Sequence, residues 1–208
     1  MEALTEGEPS GGLAPASEGG GALVFVGFMG AGKTSSARSV AAEMGVAPLD
    51  SDRELEAAIG EPIEAFFDRE GEPAFREREE QAVLAVLDRA RSGGVVALGG
   101  GATGSERVCE ALRDHTVVHL EVEPDEAWRR ATGKGRPLAR DRGRFDQLHA
   151  DRRTVYQSVA HAVLRPRAAT RRAARSMASW ACATPGRRGS GTSGWSGRSH
   201  SRATTRCS

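Results

Sequence analysis

A chain of 208 residues fits one domain, and a hydrophobic content of 38% leaves room for segments that bury little. Net charge is only +1, yet ten of the 29 basic residues, all Arg, lie between Arg165 and Ser208, where no acid occurs, so residues 1–164 carry 19 basic against 28 acidic groups. Three cysteines without metal-type spacing exclude a disulfide framework, and the absence of any membrane-length apolar run excludes a spanning helix, leaving the expectation of a soluble cytoplasmic protein.

Residues 1–21, MEALTEGEPSGGLAPASEGGG, have neither the basic nor the apolar region of a secretory signal and read as a flexible leader. Leu23–Val26 is a short apolar strand, and Lys33–Met44 follows a helical pattern. Between them, Gly27-Phe-Met-Gly-Ala-Gly-Lys33-Thr34 matches G-x-x-x-x-G-K-[ST] in full. In that setting Gly27, Gly30, Ala31 and Gly32 let the backbone turn its N–H groups around a phosphate, and the helix N-terminus adds positive potential. Lys33 reaches the β- and γ-phosphates and the Thr34 hydroxyl ligates Mg²⁺, so the stretch predicts ATP or a similar triphosphate with magnesium.

Pro48–Asp50 ends a second strand, which places Asp50 and Asp52 at a strand carboxyl end, where ligands gather in open α/β sheets. One carboxylate of such a pair can hold Mg²⁺ and the other can accept or orient a hydroxyl proton, while Asp52 alone also fits a helix cap. Asp52–Ile59 and Pro62–Phe67 are helical around a break at Gly60, and Pro73 opens a charged helix toward Arg91 that reads as largely solvated. Val95–Leu98 is an apolar strand running into Gly99-Gly100-Gly101, a run that lets backbone pass close to a ligand. Glu106–Leu112 is helical and Thr116–Val122 is a strand, while Pro124 with Asp125 and Glu126 starts another helix. A basic loop over Gly133–Arg144 precedes the last helix, Phe145–Ala160. Strands alternating with helices predict an α/β fold, a parallel sheet covered on both faces. Cys109 and Trp128 read as packing residues, and the five histidines show no metal spacing.

After Leu164 the residues RPRAATRRAARSMASWACATPGRRGSGTSGWSGRSHSRATTRCS contain no Val, Leu, Ile or Phe and cannot bury enough to offset chain entropy. Arginines with interspersed tryptophans would suit a nucleic-acid arm, but the lack of ordered pattern favours a disordered tail with no selected role, such as the product of a shifted reading frame.

GFMGAGKT, DSD, FRERE, GGGA, GRPL and RRTVY, in this order and at these distances, resemble shikimate kinase over about residues 22–164. The resemblance implies a three-layer α/β/α P-loop kinase with a mobile lid. It implies ATP-dependent phosphorylation of the shikimate 3-hydroxyl in aromatic amino-acid (chorismate) biosynthesis, with Mg²⁺; a monomer with ATP and shikimate as partners, and neither nucleic acid nor membrane, is the accompanying expectation. Asp52 would bind the shikimate hydroxyls and serve as the base or positioning group, and Arg76 and Arg152 would clamp the carboxylate, with Gly99, Gly100 and Gly101 lining the same pocket. Asp50 would sit near the metal with Thr34, and Arg136 would reach the transferring phosphate beside Lys33. Bidentate guanidinium–carboxylate pairing and charge neutralisation around a phosphoryl group suit those assignments.

The family continues past its last lid helix with a strand, a loop near the adenine and a final helix. Here His161–Leu164 begins that strand and Arg165-Pro166 ends it, so the last strand and helix are expected to be missing or disrupted, with weak nucleotide affinity and a low melting temperature. Two other readings accompany the leading one: a gluconate-type small-molecule kinase, and an impaired nucleotide-binding remnant.

Overall fold

The computed structural model describes residues 21–132 and 141–165. Residues 1–20, residues 133–140 with Arg136, and residues from 166 onward, on which the expected leader, lid loop and tail fall, lie outside them. Five strands, Leu23–Val26 (β1), Pro48–Asp50 (β2), Val95–Ala97 (β3), Thr116–Leu120 (β4) and Ala162–Leu164 (β5), form one sheet in the order β2-β3-β1-β4-β5. Every pairing is parallel, with Leu23 opposite both Val95 and Thr116, and Asp50 opposite Ala97. All residues of β1 and β3 are buried, the pattern of strands covered on both faces. The loops that follow β1, β2 and β3 therefore open at one edge of the sheet, the edge where ligands bind in such folds.

The helices are Lys33–Met44 (α1), Ser51–Ile59 (α2), Ile63–Arg89 (α3), Glu106–Ala111 (α4), Pro124–Ala131 (α5) and Arg142–Val159 (α6). Ala37, Val40 and Ala41 of α1, Val83, Val86 and Leu87 of α3, and Phe145 and Tyr156 of α6 join the strand residues in one core. Burying each aliphatic side chain contributes about 1.5–3 kcal/mol, which outweighs the modest helix propensity of these segments. A second, smaller cluster of Leu55, Phe66 and Phe75 lies between α2 and α3 and stiffens the platform that carries Asp52 and Arg76.

The two helices expected on either side of Gly71 are both present within Ile63–Arg89 and meet at a break with non-helical backbone. Gly71 takes φ 80°, in the left-handed region, and Pro73 lacks the N–H that would continue the ladder. The last helix starts three residues before Phe145, because the Asp141 side chain accepts a hydrogen bond from the Arg144 N–H at 2.9 Å. Arg142 stays at the surface, where it pairs with Asp125 at 2.5 Å and Asp146 at 2.8 Å and lies over the Trp128 ring. Trp128 packs edge-on to Phe145, and Cys109 is buried with its thiol on the Thr103 carbonyl, as packing roles require.

β5 adds three residues to the sheet edge and is held by the Glu121 N–H donating to the Leu164 carbonyl at 2.8 Å. The Glu121 side chain is 7% exposed and pairs with Arg153 at 2.7 Å and Arg165 at 2.5 Å. Burial pushes its carboxyl upward, but the Arg165 hydrogen bond and the charges of Arg153, Arg165 and His119 outweigh it and hold the group below the ordinary carboxylate range. A depressed folded-state value stabilises the protein above the ordinary range and is lost as pH falls through it. Glu121→Gln is therefore expected to melt about 3 °C below the parent chain at pH 7. Melting curves of the two proteins should converge on acidification below the carboxylate range; a constant gap at all pH values would contradict the ion-pair origin.

Candidate active site

The turn between β1 and α1 is built around close backbone approach. Gly27 takes φ 144°, and a methyl group there would stand 2.5 Å from the Leu120 carbonyl oxygen, so only glycine fits where β1 leaves the sheet beside β4. Gly32 occupies the N-cap of α1, and that helix begins with no side-chain cap and no acid in its first turn. A helix start of this kind, with no acid beside it, suits an anion, which the helix dipole also favours. Lys33 bends back across the turn, its Nζ donating to the Gly27 carbonyl at 2.8 Å and the Phe28 carbonyl at 3.2 Å. Ala31 is fully buried and its N–H donates to the Phe28 carbonyl at 3.2 Å, which closes the turn.

β2 delivers its acids to the same edge. Thr34 Oγ1 donates to Asp50 Oδ2 at 2.7 Å, so the hydroxyl and carboxylate expected near the metal are in contact. Two hard oxygen donors at the mouth of a phosphate turn suit Mg²⁺, which takes one or two protein oxygens and completes its shell with phosphate and water. Asp50 Oδ1 also accepts from the Asp52 N–H at 3.1 Å, making Asp50 the N-cap of α2. The cap role that Asp52 could have filled belongs to Asp50, which leaves the Asp52 carboxylate to turn elsewhere.

It turns to the triple glycine after β3. A methyl group on Gly99 would collide with Asp52 Oδ1 and stand 3.2 Å from Glu79 Oε1. One on Gly101 would collide with Arg76 Nη1 and stand 3.1 Å from each carboxylate oxygen of Glu79. One on Gly100 would lie 3.7 Å from the Met29 backbone nitrogen and 3.8 Å from Arg152 Nη1. The missing side chains of Gly99–Gly101 therefore mark a place where α2, α3, α6 and the phosphate turn converge. The sequence-predicted residues Asp52, Arg76 and Arg152 meet there, next to Gly27–Thr34. Arg136 alone among the predicted set lies outside the described residues. Arg78 is exposed on α3 and Arg153 turns toward Glu121, so neither neighbour competes for the places of Arg76 and Arg152.

Three residues of this site escape a reading of the chain alone. Glu79, on a helix expected to be mostly solvated, is 6% exposed and holds Arg76 Nη1 at 2.6 Å. Burial pushes the Arg76 guanidinium downward, and the charges and hydrogen bonds of Glu79 and Glu72 outweigh that and raise it. Its spacing of three residues from Arg76 was the available signal, since i and i+3 share a helix face. Ser51 is buried and its Oγ accepts from the Gly99 N–H at 2.8 Å, fixing the start of the glycine run. Tyr156 donates its hydroxyl to the Gly100 carbonyl at 2.5 Å.

A family model described as "SKI: Shikimate kinase" matches residues 29–181, a span that runs beyond residue 164. A shikimate kinase of Salinispora tropica is 44% identical over 144 residues, covering 68% of this chain and 85% of that protein. One from Corynebacterium jeikeium is 39% identical over 146 residues, covering 68% and 77%. Among solved structures, shikimate kinase from Acinetobacter baumannii in complex with shikimate superposes with a TM-score of 0.70 at 33% identity, covering 78% of this chain and 91% of that one. With its parallel sheet, its phosphate turn and these relatives, the chain belongs to the shikimate kinase family.

Proposed function

We propose that this chain transfers the γ-phosphoryl group of ATP to the 3-hydroxyl of shikimate, giving shikimate 3-phosphate and ADP in chorismate biosynthesis. The observation that carries this reading is the convergence at Gly99–Gly101, where an acid and two arginines meet beside the phosphate turn. The α/β framework, the family match and the relatives support the same assignment.

Each residue then has a role of its own. Gly27, Gly30 and Gly32 shape the turn that directs backbone N–H groups toward the triphosphate, Ala31 closes it on Phe28, and Lys33 leaves its carbonyl partners for the β- and γ-phosphates. Thr34 and Asp50 would hold Mg²⁺, which neutralises charge on the phosphate oxygens when bound. Arg152 and Arg76 take the carboxylate of shikimate. The Arg76 contact with Glu72 is exposed and therefore weak, so the substrate's acid displaces it, while the buried pair with Glu79 stays and aims the guanidinium. Asp52 accepts the proton of the 3-hydroxyl as its oxygen bonds to the γ-phosphorus and the bond from that phosphorus to the bridging oxygen of ADP breaks. Arg136 contributes positive charge to the transferring group and closes the site against water with the rest of its loop. Among the described residues no helix is long and apolar enough to cross a membrane. The proposed enzyme works in the cytoplasm as a monomer, with residues 22–164 as its folded unit between leader and tail.

Coupled ADP-release assays on the full chain, with shikimate and with gluconate as acceptors, test this. Shikimate is expected to raise ADP release far above the ATP-only rate and gluconate to leave it unchanged. The opposite preference would make the chain a gluconate-type kinase.

A further inference from the structure

Arg152 and Tyr156 lie one helical turn apart on α6, so their side chains share a face. Tyr156 is 1% exposed, and its hydroxyl donates to the Gly100 carbonyl at 2.5 Å. Arg152 is near the same glycine: its Nη1 would be 3.8 Å from a methyl group there. The Arg152 charge also acts on the phenol. A hydroxyl can accept one hydrogen bond while donating another, so a phenol that donates to Gly100 keeps a lone pair for the neighbouring guanidinium. Burial pushes its titration up to about 12, against the pull of Arg152, so the proton is present throughout the physiological range.

We propose that Tyr156 is a positioning residue for Arg152: its hydroxyl ties the guanidinium to the Gly100 carbonyl, so that the acid-binding arginine and the glycine turn keep one geometry. This rests on the reading of Arg152 as a ligand of the substrate carboxylate. An arginine held this way arrives with its fork already oriented and loses less rotamer freedom when the acid binds. The ring of Tyr156 is core and the hydroxyl is what serves the site, so removal of the oxygen alone separates packing from positioning.

Steady-state kinetics of Tyr156→Phe in the full chain test the proposal, with Arg152→Ala and the double variant beside it. Loss of a hydrogen bond to a charged group is expected to raise KM for shikimate about tenfold, with kcat within about threefold and KM for ATP unchanged. In the Arg152→Ala background the same change should cost less than about twofold, because the group it positions is gone. An unchanged KM for shikimate in Tyr156→Phe, or the full tenfold effect persisting without Arg152, would overturn the proposal. If Arg152→Ala itself leaves shikimate binding intact, the carboxylate clamp is wrong and the proposal falls with it, a distinct outcome. Tyr156 is the sole tyrosine of the chain, so fluorotyrosine labelling gives one assignable ¹⁹F resonance without any substitution. That resonance should move on saturation with shikimate and stay still in Arg152→Ala, and it decides the matter should Tyr156→Phe fail to fold. A resonance that is indifferent to shikimate in the parent chain would overturn the proposal as well.

Discussion

Asp52→Asn is expected to lower kcat about a thousandfold, with KM for ATP within about twofold of the parent value. The substitution keeps the shape of a side chain whose Oδ1 faces Gly99, so the pocket walls stay in place. It removes the capacity to take a proton from the attacking hydroxyl. Asp50, although only two residues away, cannot substitute: one of its oxygens accepts from Thr34 and the other caps α2. The two acids are therefore separated in role by the turn between β2 and α2, one facing the phosphate turn and one facing the glycines. Rapid-quench measurement of the phosphoryl-transfer step checks this. A fall of less than tenfold would assign Asp52 to binding alone.

Lys33→Ala is expected to lower kcat by about a thousandfold as well, and to weaken ATP in addition. The two variants differ in what else they touch. In the proposed roles Asp52 acts on the acceptor, whereas Lys33 belongs to the triphosphate in both ground state and transition state, so its loss should raise KM for ATP and lower kcat together. In the absence of phosphate the ammonium rests on the Gly27 and Phe28 carbonyls, two hydrogen bonds that a folded protein can replace with water at a half-exposed position. The melting temperature should consequently move by less than about 5 °C. Kinetics with ATP titration, paired with a melting curve, check both parts. A large stability loss with unchanged kcat would make Lys33 a structural clasp of the turn.

Much of this architecture was legible in the residues because local chemistry left few choices. β1 is a short apolar run followed by glycines, a lysine and a threonine, and no other arrangement of those types satisfies both strand burial and helix initiation. β2, α1 and the start of β3 fell where their apolar runs and bounding glycines placed them. The fold class followed from the alternation of strands and helices. What the chain did not announce was decided by contacts across long separations. Glu79 reads as one more charge on a charged helix until Gly101, 22 positions later, packs close to it and the carboxylate is buried against the half-exposed Arg76. Ser51 looks like a linker residue between two acids until the Gly99 N–H reaches its oxygen across 48 positions. The start of α6 was misplaced because Gly143 suggests a loop, whereas the Asp141 cap is strong enough to open the helix before it.

The site assignments converge on a single chemical statement, that two guanidinium groups hold a carboxylate so that Asp52 faces the alcohol to be phosphorylated. The most direct measurement is the ratio of kcat/KM for shikimate to that for its methyl ester, which keeps every hydroxyl and removes the negative charge. Charge-assisted bidentate pairing predicts a preference for the acid of about a hundredfold. A ratio near one would show that Arg76 and Arg152 do not grip the acid.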